Sequence, residues 1–313
     1  MPLLFVDATM LNCWARCREE FRDRYIEGGN GIAPLKPALP LITGSAFHRG
    51  VETFWRGGSY QEAMAVAMAE MDIDESLLSM PEREKLQEAR EYLPDMLACY
   101  FDNQSYEPSR LWRYIEEQTH EDCLAVEWEW YLPWNDVPPP FTEVLLVGKM
   151  DRVEVVNPVR GQPHIFDCKT ASEIGKNWKH DYRAGLLRDI QFQLYDFYLT
   201  SIGHSPTMST VEVITKPYKS KPSRLVLFDL PELAAYRERF KQQLDWMLRE
   251  MVHYCSKYRE AKPWPMAAAT TCIGKYGPCD FLRICNEGAS AKVMGNYGPR
   301  VEHLTNISKR ITP

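Results

Sequence analysis

LLVGKMDRVEVVNPVRGQPHIFDCKT, residues 145–170, places two apolar, strand-like runs on either side of a turn rich in Asn, Pro and Gly. Each run carries an aspartate among hydrophobic neighbours: Asp151 after Gly148, and Asp167 two residues before Lys169. A buried charge is costly, so these carboxylates need a reason to be there. Pairing of the runs as a hairpin brings Asp151 and the Asp167-Cys168-Lys169 triplet together at one end of a sheet. Two carboxylates that repel each other are better held with a divalent cation between them, and a nearby ammonium neutralises an anion that such a metal activates.

Around this stretch the composition describes a folded chain. With 313 residues and 45% hydrophobic content it can bury a sizeable core, as one large domain or one domain with decorations. A net charge of −6 argues against a generic polyanion binder, though not against local basic surfaces. No basic segment followed by a long apolar core opens the chain and no run of about 18 apolar residues occurs, so a cytoplasmic protein with no membrane partner is expected. Of the nine cysteines, Cys272, Cys279 and Cys285 fall close together, whereas Cys99, Cys123, Cys168 and Cys255 are scattered singly and read as ordinary buried thiols. In a reducing compartment the late group suggests metal ligation rather than disulfides.

From the N-terminus, residues 9–26 read as one amphipathic helix with Cys13, Cys17, Phe21 and Tyr25 along one side. A second helix is expected from near Thr43, carrying Ser45, His48, Glu52 and Trp55. His48 there is either a satisfied structural histidine, the commoner case, or a ligand. Helical patterns over 60–71 and 82–101 read as an insertion without chemistry of its own. Strand character starts near Asp122 in CLAVEWEWYLPW, where alternation puts Glu127 and Glu129 on one face, either toward solvent or toward Asp151. Beyond the opening stretch, Lys176, Lys179, Arg183 and Arg188 are scattered cations. A helix over 184–202 sets Gln191 and Tyr195 one turn apart. Two strands then flank the basic turn PYKSKPS, with Lys216, Lys219, Lys221 and Arg224 and no acid, which is either a solvated loop or a phosphate contact. A long helix from Pro231 to about Arg259 precedes the cysteine group.

Taken in order, His48 on an early helix, GKMD ending at Asp151, DCK from Asp167 to Lys169, and the QxxxY of Gln191 and Tyr195 resemble the RecB-like branch of the PD-(D/E)XK nuclease superfamily. The resemblance extends to its iron-sulfur variety, the CRISPR-associated RecB-like exonucleases and AddB-type nucleases. CREEFRDRYI matches that variety's first-cysteine segment and selects Cys17 over Cys13. CDFLRIC gives Cys279 and Cys285 the expected separation. Cys272 departs from the pattern, with six residues before Cys279 in place of the usual two.

This resemblance implies an α/β fold: a central mixed β-sheet flanked by helices, restriction-endonuclease-like, over 122–230. An N-terminal helical region over 9–121 would carry Cys17 and His48, and a C-terminal helix and iron-sulfur cysteine loop would occupy 231–313, all within one nuclease domain of 1–313. It implies Mg2+ or Mn2+ held by His48, Asp151, Asp167 and the main-chain carbonyl of Cys168, with Lys169 activating water and stabilising charge. Glu127 joins the site from the strand before GKMD, Glu129 sharing its parity, and Gln191 and Tyr195 support the site or contact DNA. Cys17, Cys272, Cys279 and Cys285 would hold a 4Fe-4S cluster as a staple, with tetrahedral zinc as the inorganic alternative. The activity implied is exonucleolytic cleavage of single-stranded DNA or DNA ends, in repair, recombination, phage replication or CRISPR adaptation, in a prokaryotic or phage-encoded setting. No GxxxxGK[ST] pattern is present, so a motor would be a separate helicase or recombination/adaptation partner chain. A nucleic-acid-binding adaptor on a retained nuclease fold is the alternative; the intact acidic pair and lysine count against it.

Overall fold

The computed structural model describes residues 3–27, 31–36, 38–115, 121–134, 143–157, 161–172, 178–206, 208–218, 221–257, 264–265, 272–274 and 277–300. Lys176 and Lys219 lie outside them, as does the end of the helix expected to reach Arg259. Side chains at 178–181, Lys179 among them, are likewise outside the description.

The elements run β1 (Leu3–Val6), α1 (Ala8–Arg16), α2 (Arg18–Tyr25), β2 (Ile32–Pro34), α3 (Leu39–Trp55), α4 (Tyr60–Glu70) and α5 (Met80–Asp102). Next come β3 (Arg113–Ile115), β4 (Asp122–Leu124), β5 (Val126–Trp134), β6 (Glu143–Asn157), β7 (Gln162–Ala171), α6 (Trp178–Leu186) and α7 (Ile190–Ser201). The chain continues through β8 (Met208–Thr215), β9 (Leu225–Leu230), α8 (Arg237–Lys257), β10 (Ile273–Gly274), β11 (Gly277–Pro278) and β12 (Tyr297–Pro299). The fold is α/β, with a six-stranded mixed sheet in the order β1-β6-β7-β8-β9 and β5 paired to β6. As the opening stretch led us to expect, β6 and β7 are antiparallel, while β7 and β8 are parallel, a pairing that needs the α6–α7 crossover between them. The expected sheet of 122–230 did not include β1, which adds parallel to the start of β6.

The chain divides into two compact units. One comprises residues 37–128 and 149–237. Its core gathers Phe47, Trp55, Leu93, Leu97 and Tyr100 from α3 and α5 with Cys168 and Ile214 from the strands. Capping boxes at Ser59/Glu62 and Ser79/Glu82 start α4 and α5 where apolar periodicity alone would leave the boundary open. The expected single helix over 184–202 is two helices. Asp189 is extended and its carboxylate accepts the Gln191 N–H at 2.9 Å, so α7 begins there and fixes the height of Gln191.

The other unit comprises residues 1–36, 129–148 and 238–313. The expected helix over 9–26 is also two, because Cys17 takes an extended conformation (φ −158°, ψ 118°) and its Sγ accepts the Glu20 N–H at 3.4 Å. Within this unit residues early in the chain pack against residues late in it. Trp14 is fully buried against Phe21, Tyr254 and Trp264, the Trp264 N–H donates to Glu19, and β2 pairs with β12. Arg24 pairs with Asp280 at 2.7 Å and stacks over Phe281. Gly148 is required by packing here: a Cβ on it would lie 2.5 Å from the Trp130 ring.

Candidate active site

Alternation along β7 sends Asp167 and Lys169 to one face and Cys168 to the other. Asp167 is fully buried; its Oδ1 accepts from Gln191 Nε2 at 2.9 Å and its Oδ2 lies 2.8 Å from Lys169 Nζ. Lys169 also donates to Gln191 Oε1 at 3.0 Å, and Gln191 Nε2 donates to the Tyr195 hydroxyl at 2.7 Å. That hydroxyl in turn donates to the main-chain carbonyl of Lys149. Gln191 and Tyr195, one turn apart on α7, thus tie the Asp167–Lys169 pair to the strand that carries Asp151.

Across the β6–β7 ladder, Arg152 pairs with Phe166, which sets Asp151 opposite Asp167. Asp151 Oδ2 accepts the Cys168 N–H at 2.8 Å and lies 3.3 Å from His48 Nδ1. The Cys168 backbone therefore has a direct link to the site, while its thiol faces the Tyr100 hydroxyl and Glu212 behind the sheet. His48, Glu127 and Asp151 each place one ligand atom within 4.8 Å of the others, the only such group of metal-binding type among the described residues. One nitrogen and two carboxylates suit a hard divalent cation of the magnesium or manganese kind. Asp167 is outside this triad and engaged with Lys169 and Gln191.

Glu127 reaches the triad by an unusual backbone. Its φ is +50°, the left-handed region that costs a non-glycine residue about 1–3 kcal/mol. Burial alternates through Val126–Trp130, with Glu127 and Glu129 both half-buried between buried neighbours, and Glu127 is the member placed beside His48 and Asp151. Burial pushes the Glu127 carboxyl up to about 7, Asp151 adds repulsion, and the ion pair with Lys149 opposes both. Burial likewise pushes Asp167 up to about 7, against the pull of Lys169 and with the push of Asp151. Lys169 is raised despite burial, because Asp167 and Asp151 favour its charge. The centre gathers three carboxyl groups, Glu127, Asp151 and Asp167, against two lysines, Lys149 and Lys169, and two of those carboxyls ionise only reluctantly, the condition a bound cation relieves.

Two residues here were not assigned to the site from the sequence, although Glu52 was placed on the helix of His48. Lys149 pairs with Glu127, and Glu52 lines the same cavity as Glu127 and Asp151. The signal for Glu52 was its place one helical turn after His48; for Lys149 it was its place within GKMD. Behind the site, Arg152 is sandwiched between Trp55 (3.9 Å) and Phe166 (4.3 Å) and pairs with Glu212 at 2.9 Å. Glu212 also accepts from Tyr100 at 2.7 Å and Gln104 at 3.0 Å. This buried network, in which Arg152 Nε also lies 2.9 Å from Glu154, holds the residue after Asp151 and the strand beside Cys168.

In the other unit, Cys17 sits at the α1–α2 break, the Cys279 N–H donates to the Cys272 carbonyl at 2.8 Å, and Cys285 follows Phe281 on the next turn. No three thiols close to within 4.8 Å of one another among the described residues. Burial pushes Cys279 up to about 11 and Cys285 up to about 12, with Cys17 and neighbouring acids adding to both.

The family model of the PD-(D/E)XK nuclease superfamily matches residues 8–286. No curated protein sequence matches the chain. Among solved structures, the crystal structure of SSO0001 is 13% identical and covers 79% of this chain and 85% of its own, at a TM-score of 0.28 that carries no argument. The family match takes in every residue of the centre described above, and on that extent the chain belongs to the PD-(D/E)XK nuclease superfamily.

Proposed function

We propose that the chain is a Mg2+- or Mn2+-dependent DNA exonuclease of the RecB-like iron-sulfur type, acting on single strands or DNA ends. The observation that carries the reading is the convergence of His48, Glu127 and Asp151 next to the pair of buried Asp167 and half-buried Lys169. His48, Glu127 and Asp151 would hold the cation, with Asp167 and the Cys168 carbonyl as further oxygen donors. What a divalent cation supplies in such a site is charge neutralisation at the scissile phosphate and a more acidic attacking water. The chain's own residues do the rest. The Cys168 N–H fixes one Asp151 oxygen and leaves the other free to turn toward a ligand. Lys169, with about a third of its side chain accessible, offers a held ammonium to the attacking water or to the charge that develops on phosphate. Gln191 and Tyr195 keep that ammonium in place, which is the preorganisation that makes charge stabilisation effective.

The cluster reading rests on the donor set. Cys279 and Cys285 both lie within electrostatic reach of Cys17, and Cys272 is joined to Cys279 by a backbone hydrogen bond. Thiolates that repel each other in a buried place are stabilised when a soft metal centre takes them as ligands. Arg22 and Arg24 pair with the acids around them, Glu19, Glu20, Asp23 and Asp280. Iron and sulfide content with broad visible absorbance after anaerobic purification supports the cluster; colourless protein with stoichiometric zinc refutes it. The nuclease reading is tested on single- and double-stranded DNA labelled at either end, with Mg2+, Mn2+ or chelator. Mononucleotide release that needs metal supports it. Internal fragments only would make the enzyme an endonuclease, and no cleavage of any substrate would refute nuclease function.

A further inference from the structure

We propose that the basic turn joining β8 to β9, with Lys216, Tyr218, Lys221 and Arg224, is the track on which the substrate DNA strand lies beyond the scissile phosphate. The proposal rests on the nuclease reading and adds to it where the strand runs.

Register puts the turn at the catalytic end of the sheet. β7 and β8 run parallel with Lys169 beside Val213 and Ala171 beside Thr215, and the Lys216 N–H then donates to the Ala171 carbonyl at 2.8 Å. At about 3.3 Å per strand residue, the Lys216 backbone lies roughly 10 Å beyond that of Lys169. With roughly 3.4 Å of axial rise per nucleotide, that is a span of a few nucleotides.

The turn is also pinned. Tyr218 and Lys221 exchange backbone hydrogen bonds of 3.0 Å each. The Thr215 N–H donates to the Arg224 carbonyl at 2.9 Å, and the Arg224 N–H donates to the Thr215 hydroxyl at 3.0 Å. Cations on a pinned turn lose less freedom on binding than cations on a free loop.

The chemistry fits a nucleic-acid strand better than it fits a solvated loop. KPYKSKPSR, residues 216–224, holds no acid although the whole chain is net −6. Lys216 and Arg224 have no carboxylate partner among the described residues; Lys216 Nζ sits over the Tyr92 ring at 5.2 Å. The acids nearest Tyr92 in sequence, Glu91 and Asp95, belong to α5 and not to the turn. Tyr218 is 51% exposed, an aromatic side chain of the kind that stacks on unpaired bases, a contact that is sequence-tolerant and so suits a nuclease without sequence preference.

The test uses the full chain, a fluorescein-labelled 20-nucleotide oligo-dT, and anisotropy in Ca2+ across a salt series, with Lys216→Gln/Lys221→Gln/Arg224→Gln and Tyr218→Leu as variants. Three lost phosphate contacts should lower the slope of log affinity against log salt by about 2, and affinity in low salt by at least about tenfold. Tyr218→Leu should weaken binding at least about fivefold with the slope unchanged. In Mn2+, KM for the oligonucleotide should rise in both variants with kcat within about twofold, and cleavage of p-nitrophenyl thymidine 5′-phosphate, too short to reach the turn, should not change. Wild-type affinity and slope in the triple variant would overturn the track while leaving the nuclease reading standing. If the wild type cleaves neither substrate the nuclease reading falls, and the anisotropy series still decides for or against the turn.

Discussion

Replacing Glu127 by Gln should make the metal-free protein more stable and the enzyme inactive. The carboxyl is buried, with 8% of its side chain accessible, and is pushed from its ordinary 4.5 up to about 7 by burial first and Asp151 second. Between those two pH values the unfolded chain has released this proton and the folded chain keeps it. Stability from this group is therefore fully present below about 4.5 and is lost as pH rises to about 7. The loss is on the order of 3 kcal/mol, a figure in which the attraction of Lys149 is already counted. An amide does not ionise, so at pH 8 in chelator Glu127→Gln should melt about 5 °C above wild type, and the two should converge as pH falls below about 4.5. A cation binds the ionised form, so Mn2+ at about a hundred times its Kd should raise the wild-type melting temperature by an amount equivalent to about 2.7 kcal/mol and leave the variant nearly unmoved. Differential scanning calorimetry at both pH values, with and without Mn2+, reads all four states. A variant less stable than wild type at pH 8 in chelator, or one that keeps the Mn2+ shift, refutes the reasoning.

Three further changes probe the surroundings. Cys168→Ala should keep kcat within about threefold at a stability cost of about 1–2 kcal/mol, because the backbone N–H rather than the thiol holds Asp151; steady-state kinetics with urea unfolding checks both. Gly148→Ala should cost about 1–3 kcal/mol by driving a Cβ into the Trp130 ring, read as a lower urea midpoint with unchanged slope. His164 is depressed to about 4 by burial, so it stays neutral in the fold while the unfolded chain protonates near 6.5; stability from it is present above 6.5 and lost as pH falls to about 4. His164→Gln should flatten that acid limb by on the order of 3 kcal/mol in unfolding free energy measured from pH 7 to pH 4.

How far the sequence was legible depended on which interactions were local. The β6–β7 hairpin was readable because two apolar runs and a turn-rich segment are adjacent, and the QxxxY spacing fixed a shared helical face without knowledge of the sheet. The breaks at Cys17 and Asp189 were not, because both interrupt patterns whose periodicity continues across them, and only the side-chain caps mark the stop. The parallel addition of β1 depends on a partner some 140 residues away in sequence, which no local pattern encodes. Glu127 shows the limit most clearly: alternation left it and Glu129 as equal candidates, and the structure has Glu127, at a positive φ, beside His48 and Asp151. Nothing in VEWEW announces a left-handed residue, since glutamate is not a type that favours one.

The central claim is that one centre both binds the metal and cuts DNA, and Asp151→Asn tests it most directly because Asp151 alone touches both His48 and the Cys168 N–H. The measurement is a paired one on wild type and Asp151→Asn: Mn2+ binding by isothermal titration calorimetry and single-turnover cleavage of end-labelled single-stranded DNA. The account gives a variant that keeps its fold by circular dichroism, binds Mn2+ at least about a hundredfold more weakly, and cleaves at least about a thousandfold more slowly even in saturating metal. Cleavage at the wild-type rate with unchanged Mn2+ affinity would contradict it.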